Sequence, residues 1–261
     1  PEDGRLAGGD IGRGRLAAPE SILAAVRNIL VPTSSPLSGR HVVVSAGGTR
    51  EPIDAVRVIA NRSSGKQGHA IAAEAVRRGA KVTLVTTVPY AGADSASLTE
   101  VTVETAAQMK AAIDSAAAGA DVVIMTAAVA DFRPVPIAEG KWKKEDGVPP
   151  IVLEPTPDIL AGLGASKRPG QVLVGFAAET TNLVENARGK LERKNLDIVV
   201  ANDVSQPEVG FGHDTNAVTI VTKNDTESVP LADKRRIAAH VLDSVEKSLH
   251  STSLDRKQEH P

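Results

Sequence analysis

His41-Val42-Val43-Val44-Ser45-Ala46-Gly47-Gly48 is an apolar run that stops at two glycines. Apolar residues in unbroken succession suit a strand covered on both faces, which is the habit of parallel sheets. Outward from this run the pattern repeats. Residues 65–78 read as a helix closed by Gly79, residues 81–88 as the next strand and 100–103 as a short one. Residues 105–118 read as a helix ended by Gly119. Residues 121–128 read as a strand carrying the β-branched Val122, Val123 and Ile124. Further helices are expected at 157–163 and 183–194, and strands at 172–177 and 197–201. Strands separated by helices predict an α/β fold with a Rossmann-like, doubly wound, mostly parallel sheet. The end of the chain differs. Residues 217–222 alternate before Asn224-Asp225, which predicts a C-terminal β-hairpin extension, and residues 233–249 read as a final helix.

Ahead of the first strand, residues 1–18 are rich in Gly and Arg. Pro19 then opens an amphipathic stripe of Ile22, Leu23, Val26, Ile29 and Leu30, and residues 32–36 read as a linker. The expected layout is a leading piece over 1–36, a main domain over 37–250 and a flexible polar tail over 251–261. A chain opening on Pro1 rather than Met is expected to be part of something longer.

Composition removes several function classes. Thirty Lys+Arg against 32 Asp+Glu give a net charge of −2, without the basic footprint of a nucleic-acid binder. Only three Phe, one Trp and one Tyr are present, too few for a base-stacking platform. The absence of cysteine excludes disulfides, thiol nucleophiles and Cys-ligated metals. No apolar stretch approaches the ~20 residues that span a bilayer, so a soluble, cytoplasmic chain with no membrane partner is expected. The six histidines show no ligand spacing, and no G-x-S-x-G elbow occurs.

Ligands of open α/β sheets bind beyond the carboxyl ends of the strands, so the residues after each strand carry the chemistry. Gly47-Gly48 would let backbone approach a ligand, or serve only a tight turn. They lack the third glycine of the dinucleotide fingerprint, and the following strand ends without a ribose-binding acid, which disfavours an NAD(P)-dependent oxidoreductase. Asn61-Arg62-Ser63-Ser64-Gly65-Lys66-Gln67-Gly68 leads into a helix start, either an anion seat or a serine-capped helix. Asp131, after the strand over 121–128, could accept ribose hydroxyls, hold a metal's water or cap a turn. Lys141-Trp142-Lys143-Lys144 packs three cations that repel unless an anion neutralises them or solvent surrounds them. Pro157 and Asp158 open a helix, another phosphate position. Phe176 stands at a strand end where a base could pack, and Asn202 ends the next strand. Lys190 and Lys194 lie one helical turn apart, facing one triphosphate or solvent.

Together, residues 45–68 (SAGGTREPIDAVRVIANRSSGKQG), AAVADFRP from Ala127, KWKK from Lys141, PTPDIL from Pro155, VGFAAET from Val174 and RKNLDIVVANDVS from Arg193 resemble the phosphopantothenate–cysteine ligase family of coenzyme A biosynthesis, in family order over roughly residues 38–245. More narrowly, the chain looks like the C-terminal half of the bacterial bifunctional decarboxylase/ligase. The resemblance implies a ligase that joins 4′-phosphopantothenate to L-cysteine through an acyl cytidylate, with CTP as co-substrate and Mg2+ or Mn2+ as cation; no ligand set for that cation follows. It implies catalytic roles for Asn61 and Lys141. It puts the nucleotide on Gly47, Ser63, Gly65, Ala127, Ala128, Asp131, Phe132, Lys141, Pro157, Asp158, Ile159, Leu160, Phe176, Lys190 and Lys194. It puts the acid substrate on Arg57, Asn61, Ala128 and Asn202. A homodimer is implied, with the hairpin near residues 216–229 as candidate contact. Residues 1–18 look like the end of the family's flavin-dependent decarboxylase half. Leu6-Ala7-Gly8-Gly9 stands where that half carries a proton-donating cysteine, so neither decarboxylation nor flavin is expected on this chain. The remaining rival is a non-catalytic nucleotide sensor.

Overall fold

The computed structural model describes residues 2–5, 11–15, 35–93, 95–135, 140–143, 150–179, 182–203 and 213–258, with isolated positions 17, 19, 22, 26, 145 and 147. The chain divides into two units, residues 1–34 and 35–261. In the first, β1 (Glu2–Arg5) pairs antiparallel with β2 (Ile11–Arg15), strands that the sequence pattern did not announce. Of the stripe after Pro19, Ile22 and Val26 are helical and exposed; its other members lie outside the described residues.

The second unit grows from β3 (His41–Ala46), buried from Val42 onward. Chain order then gives β4 (Arg50–Pro52), β5 (Val58–Ala60), α1 (Lys66–Arg77), β6 (Lys81–Thr86), β7 (Leu98–Thr102), α2 (Ala106–Ala117) and β8 (Val122–Met125). There follow β9 (Phe132–Pro134), β10 (Leu153–Pro155), α3 (Ile159–Ala165), β11 (Val172–Glu179), α4 (Leu183–Arg193), β12 (Ile198–Asp203), β13 (Thr215–Thr222), β14 (Thr226–Asp233) and α5 (Lys234–Gln258). Eight strands form one sheet in the order β14-β13-β12-β11-β8-β3-β6-β7. The six from β12 to β7 run parallel, and β13 and β14 join antiparallel at one edge. This is the expected doubly wound sheet with its C-terminal hairpin.

Successive residues of a strand point to opposite faces, and β3 supplies both cores. Val42, Val44 and Ala46 pack with Ile71 and Ala75 of α1 and with Ile237, Val241 and Val245 of α5. Val43 packs on the other side with Met109 and Ile113 of α2, Leu160 and Leu163 of α3, and Leu191 of α4. A central strand buried on both faces is apolar at nearly every position, and the one buried polar residue of β3, Ser45, is satisfied by backbone amides of the loop after β8. On the first face Arg78 ties α1 to α5. It pairs with Glu74 at 2.9 Å and Asp243 at 2.8 Å, and donates to the Ala239 carbonyl at 3.0 Å.

Several element ends differ from the sequence expectation. β8 stops at Met125 rather than Ala128, because the Thr126 and Ala127 amides turn onto Ser45 Oγ, each at 3.1 Å. β6 stops at Thr86, whose hydroxyl accepts from the Val88 amide and donates to the Val88 carbonyl. The last helix continues in backbone to Gln258, past Leu249, where the sequence pattern ends it, and into the run from 251 that was expected to be a flexible tail. Two three-residue hairpins, β4–β5 and β9–β10, were not expected at all.

Candidate functional site

The carboxyl ends of β3 and β8 are stitched together. The Ala128 amide donates to the Gly47 carbonyl at 2.8 Å, and the Thr49 amide to the Ala128 carbonyl at 3.3 Å. Gly47 has φ +85°, and a Cβ there would lie 2.1 Å from Thr87 Oγ1, so only glycine fits. This joined tip is the floor of a cleft of about 420 Å3 that straddles the sheet edge, with one wall from each helical layer.

The first wall is the start of α1. Its N-cap is Gly65, in a left-handed conformation and with no side-chain cap, so the serine-capped helix weighed from sequence is not what forms. Ser63, Ser64, Gly65, Lys66 and Gln67 line the cleft, and the N-cap residue itself, being glycine, offers no side-chain cap. Gly68 presses this helix start onto the sheet: a Cβ there would be 2.5 Å from Thr126 Oγ1 and 2.6 Å from Ala46 Cβ. Lys234, opening α5, lines the same wall and is 8% exposed. Burial, and then the charge of Lys66, push its pKa below the ordinary lysine value, against the pull of Asp214. Lys66 pairs with Asp214 at 2.6 Å, and Gln67 Nε2 donates to the Lys234 carbonyl at 3.2 Å.

The second wall is made by α3 and α4. Asp158 caps α3 by accepting from the Ala161 amide at 3.0 Å, and its other oxygen pairs with Lys194 at 2.7 Å. Burial opposes the charge on Asp158, but Lys194, the Ala161 amide and the field of Lys190 outweigh it and hold its pKa below the usual value. Lys190 Nζ donates to the Phe176 carbonyl at 2.6 Å, which fixes that cation beside the ring expected to meet a base. Pro157, Ile159 and Leu160 complete this wall, and Ala127, Ala128 and Asp131 come from the loop after β8. Asn61 reaches across to this loop, its Nδ2 donating to the Val129 carbonyl at 3.0 Å. Asn202 and Asn216, both buried, close the end toward β12 and β13.

The structure thus gathers fifteen of the eighteen expected site residues around one cleft. Three lie elsewhere. Phe132, on β9, is 52% exposed and outside the lining. Arg57 is committed to Asp54, donates to the Trp142 carbonyl at 3.0 Å and stacks 5.9 Å from the Trp142 ring centroid. Asp54 also accepts from the Trp142 amide at 3.2 Å. The Arg57 bond, opposed by burial and helped by the Val56, Arg57 and Trp142 amides, holds the Asp54 carboxyl well below the usual range. Arg57 therefore positions the loop that carries Lys141 instead of lining the cleft. Lys141 itself is exposed beside that anchor, outside the lining. Sequence reasoning assigned no role to Lys66, Gln67, Asn216 or Lys234. Lys66 and Gln67 stood inside a loop already singled out, but Lys234 had no signal beyond its place after Asp233, which caps α5 through the Arg235 and Arg236 amides at 3.0 Å.

Among the described residues no three His, Cys, Asp or Glu side chains converge on a cation position. None of their helices is long and apolar enough to cross a membrane.

The chain is 45% identical over 248 residues to the coenzyme A biosynthesis bifunctional protein CoaBC of Bacillus subtilis (strain 168), and 42% identical over 249 residues to that of Escherichia coli (strain K12). Each match takes in 94% of this chain, which spans 61% of the length of either relative. The crystal structure of the C-terminal domain of a CoaBC protein superposes with a TM-score of 0.70 at 41% identity, covering 84% of this chain and all of that one. Residues 37–249, the whole sheet and both walls of the cleft, match the family described as the DNA/pantothenate metabolism flavoprotein C-terminal domain, and to that family this chain belongs.

Proposed function

We propose that the chain is a cytoplasmic, CTP-dependent ligase that joins 4′-phosphopantothenate to L-cysteine. The observation that carries this reading is the cleft at the sheet edge, flanked by two helix starts and by lysines from both layers. A carboxylate is a poor electrophile, and a triphosphate repels an anionic attacker. The site must supply fixed positive charge where charge develops on phosphorus. In the first step a carboxylate oxygen bonds to the α-phosphorus of CTP, the α–β anhydride breaks and pyrophosphate leaves. In the second, the cysteine amine bonds to the acyl carbon, the bond to CMP breaks and the amine's surplus proton passes to solvent.

Phe176 and residues 157–160 would hold base and ribose, and Asp131 the ribose hydroxyls. Lys190 and Lys194 would face the phosphates. Asn61, being neutral, would bind an acyl or phosphoryl oxygen without trapping an anion. Lys141 would act by closing onto the cleft from its anchor at Trp142. A divalent cation fits here as one carried by the triphosphate, because Mg2+ is commonly held by substrate phosphates with one or two carboxylates; Asp131 is the carboxylate at the rim.

A homodimer belongs to the proposal. Its better contact is the exposed apolar surface of the two short hairpins, Val56, Val58, Phe132, Ile151, Val152 and Leu153, and not the hairpin near residues 216–229, where Val218, Ile220, Val221 and Val229 are buried. The family resemblance, with bifunctional relatives of which this chain spans 61%, makes a fused decarboxylase half part of the reading. The test is pyrophosphate release with CTP, 4′-phosphopantothenate and L-cysteine, each omitted in turn. Release should require the first two and CMP the third. CTP binding without release under all conditions would leave a nucleotide sensor instead.

A further inference from the structure

We propose that Thr49 and Thr156 are positioning residues of the ligase: they clamp Ala130 from two sides and so aim the carboxylate of Asp131 at the nucleotide. On the ligase reading Asp131 meets the ribose hydroxyls; the clamp rests on that reading and adds what holds the acid in place.

Asp131 and Asp158 both line the cleft, but they are held differently. Asp158 is tied by its own side chain, to Lys194 at 2.7 Å and to the Ala161 amide at 3.0 Å. The exposed side chain of Asp131 makes no hydrogen bond or ion pair among the described residues. Its direction is therefore set by the backbone that carries it. Residues 126–131 link β8 to β9 and take their order from neighbours. Ser45 Oγ and the tip of β3 fix the first half, up to Ala128. The second half hangs on two threonines from different loops. Thr49 Oγ1 accepts from the Ala130 amide at 2.9 Å. Thr156 Oγ1 donates to the Ala130 carbonyl at 2.5 Å, and the Thr156 amide donates to the Asp131 carbonyl at 2.9 Å.

Those three bonds hold three consecutive peptide planes. A residue between two fixed planes has lost both of its soft torsions, φ and ψ, so Ala130 and Asp131 are fixed and only the Asp131 side chain can still turn. Thr49 is fully buried and lies outside the lining of the cleft, so it can act on the reaction only through this loop. Ala130 is 3% exposed, and without the Thr49 oxygen its amide would have neither solvent nor a partner. The loop would have to shift to find one. A shift of about 1 Å in a group that positions substrate is enough to cost on the order of 100-fold in rate.

Thr49→Val keeps the shape of the side chain and removes the acceptor, whereas Thr49→Ser keeps the acceptor. In the full chain we expect kcat/KM for CTP to fall about 10- to 100-fold in Thr49→Val and to return to within about threefold of wild type in Thr49→Ser. A double-mutant cycle with Asp131→Asn separates positioning from mere support of the fold. If Thr49 acts through that carboxylate, Thr49→Val should cost no more than about twofold once Asp131 is Asn. Losses that simply multiply in the double variant would overturn the proposal. Amide hydrogen exchange over residues 126–131, read by mass spectrometry, should quicken in Thr49→Val. Unchanged protection there would overturn the clamp whatever the activity. The same cycle on CTP affinity, measured by calorimetry, scores the clamp without turnover. If wild type bound CTP yet released no pyrophosphate with both other substrates present, the ligase reading would fail, and the cycle on affinity would still decide the clamp. Should Thr49→Val not fold, Thr156→Val, at a half-buried position, runs the same cycle with the same expected and refuting results.

Discussion

Gly162 and Gly164 lie two residues apart in α3, and the same Gly→Ala change should have opposite signs at the two positions. Alanine in a helix interior is favoured over glycine by about 1 kcal/mol. A Cβ on Gly162 meets nothing within 4 Å, so that gain should appear undiminished. A Cβ on Gly164 would lie 1.9 Å from the Lys194 carbonyl oxygen and 2.8 Å from its carbon, both backbone atoms at the end of α4. They cannot swing aside as a side chain would, and a carbon–oxygen contact needs about 3.3 Å. Overpacking of this kind costs roughly 1–3 kcal/mol. Parting the two helices also strains the 2.9 Å bond from Asn195 Nδ2 to the Gly164 carbonyl, worth about 1 kcal/mol. After the propensity gain, Gly164→Ala should lose roughly 1–3 kcal/mol. For a domain of this size that is a melting temperature lower by about 2–12 °C, against a rise of about 2–4 °C for Gly162→Ala. The displaced residue is Lys194, so nucleotide affinity should fall in Gly164→Ala alone. Thermal unfolding by circular dichroism and CTP titration of both variants provide the measurement. A Gly164→Ala chain melting at or above wild type would show that the close approach of α3 to α4 is not as described, and with it the placement of Lys194 against Asp158.

Lys141→Gln should lower ligase turnover about 10²- to 10³-fold, the scale for losing one preorganised donor. Its melting temperature should not change, because Lys141 is exposed; near-normal turnover would remove it from the mechanism. Asn61→Asp should slow amide formation and let the acyl cytidylate be seen after acid quench, and normal product formation in that variant would refute the role given to Asn61. Asp54→Asn tests the anchor of the Lys141 loop through the single tryptophan. The folded-state pKa of Asp54 is depressed, so its stabilisation is whole above the unfolded carboxylate pKa, near 4, and drains away as pH falls toward the folded value. Wild type and variant should therefore differ most at pH 7, in urea unfolding and in Trp142 emission, and converge in strong acid. A gap independent of pH would mean that the carboxylate charge does not hold the loop.

The parts of the molecule that could be read from sequence are those whose environment is set by position in the sheet. β3 and β8 are flanked by strands and covered by helices on both faces, so nearly every residue is apolar, and such a run has few other homes. β13 has its strand partners but alternates in burial, and its sequence alternates with it. The β4–β5 and β9–β10 hairpins could not be read. Three residues make no period, and what orders the ground between them is the meeting of Asp54 and Arg57 with Trp142, a contact across more than eighty residues. The same division runs through the cleft. Residues after parallel strands were expected at the site because parallel strands bring all their carboxyl ends to one edge. Lys234 was not, because it follows an antiparallel strand and reaches the cleft only when α5 packs beside α1 on one face. Ser63 and Ser64 left an anion seat and a capped helix both open; Gly65, at φ +73°, takes the cap position and makes no side-chain cap. A serine cap would have satisfied with the chain's own oxygen the donors that an anion is asked to meet. The choice of cap and the omission of Lys234 therefore concern one wall, and it is there that local sequence preference and the site's chemistry part company.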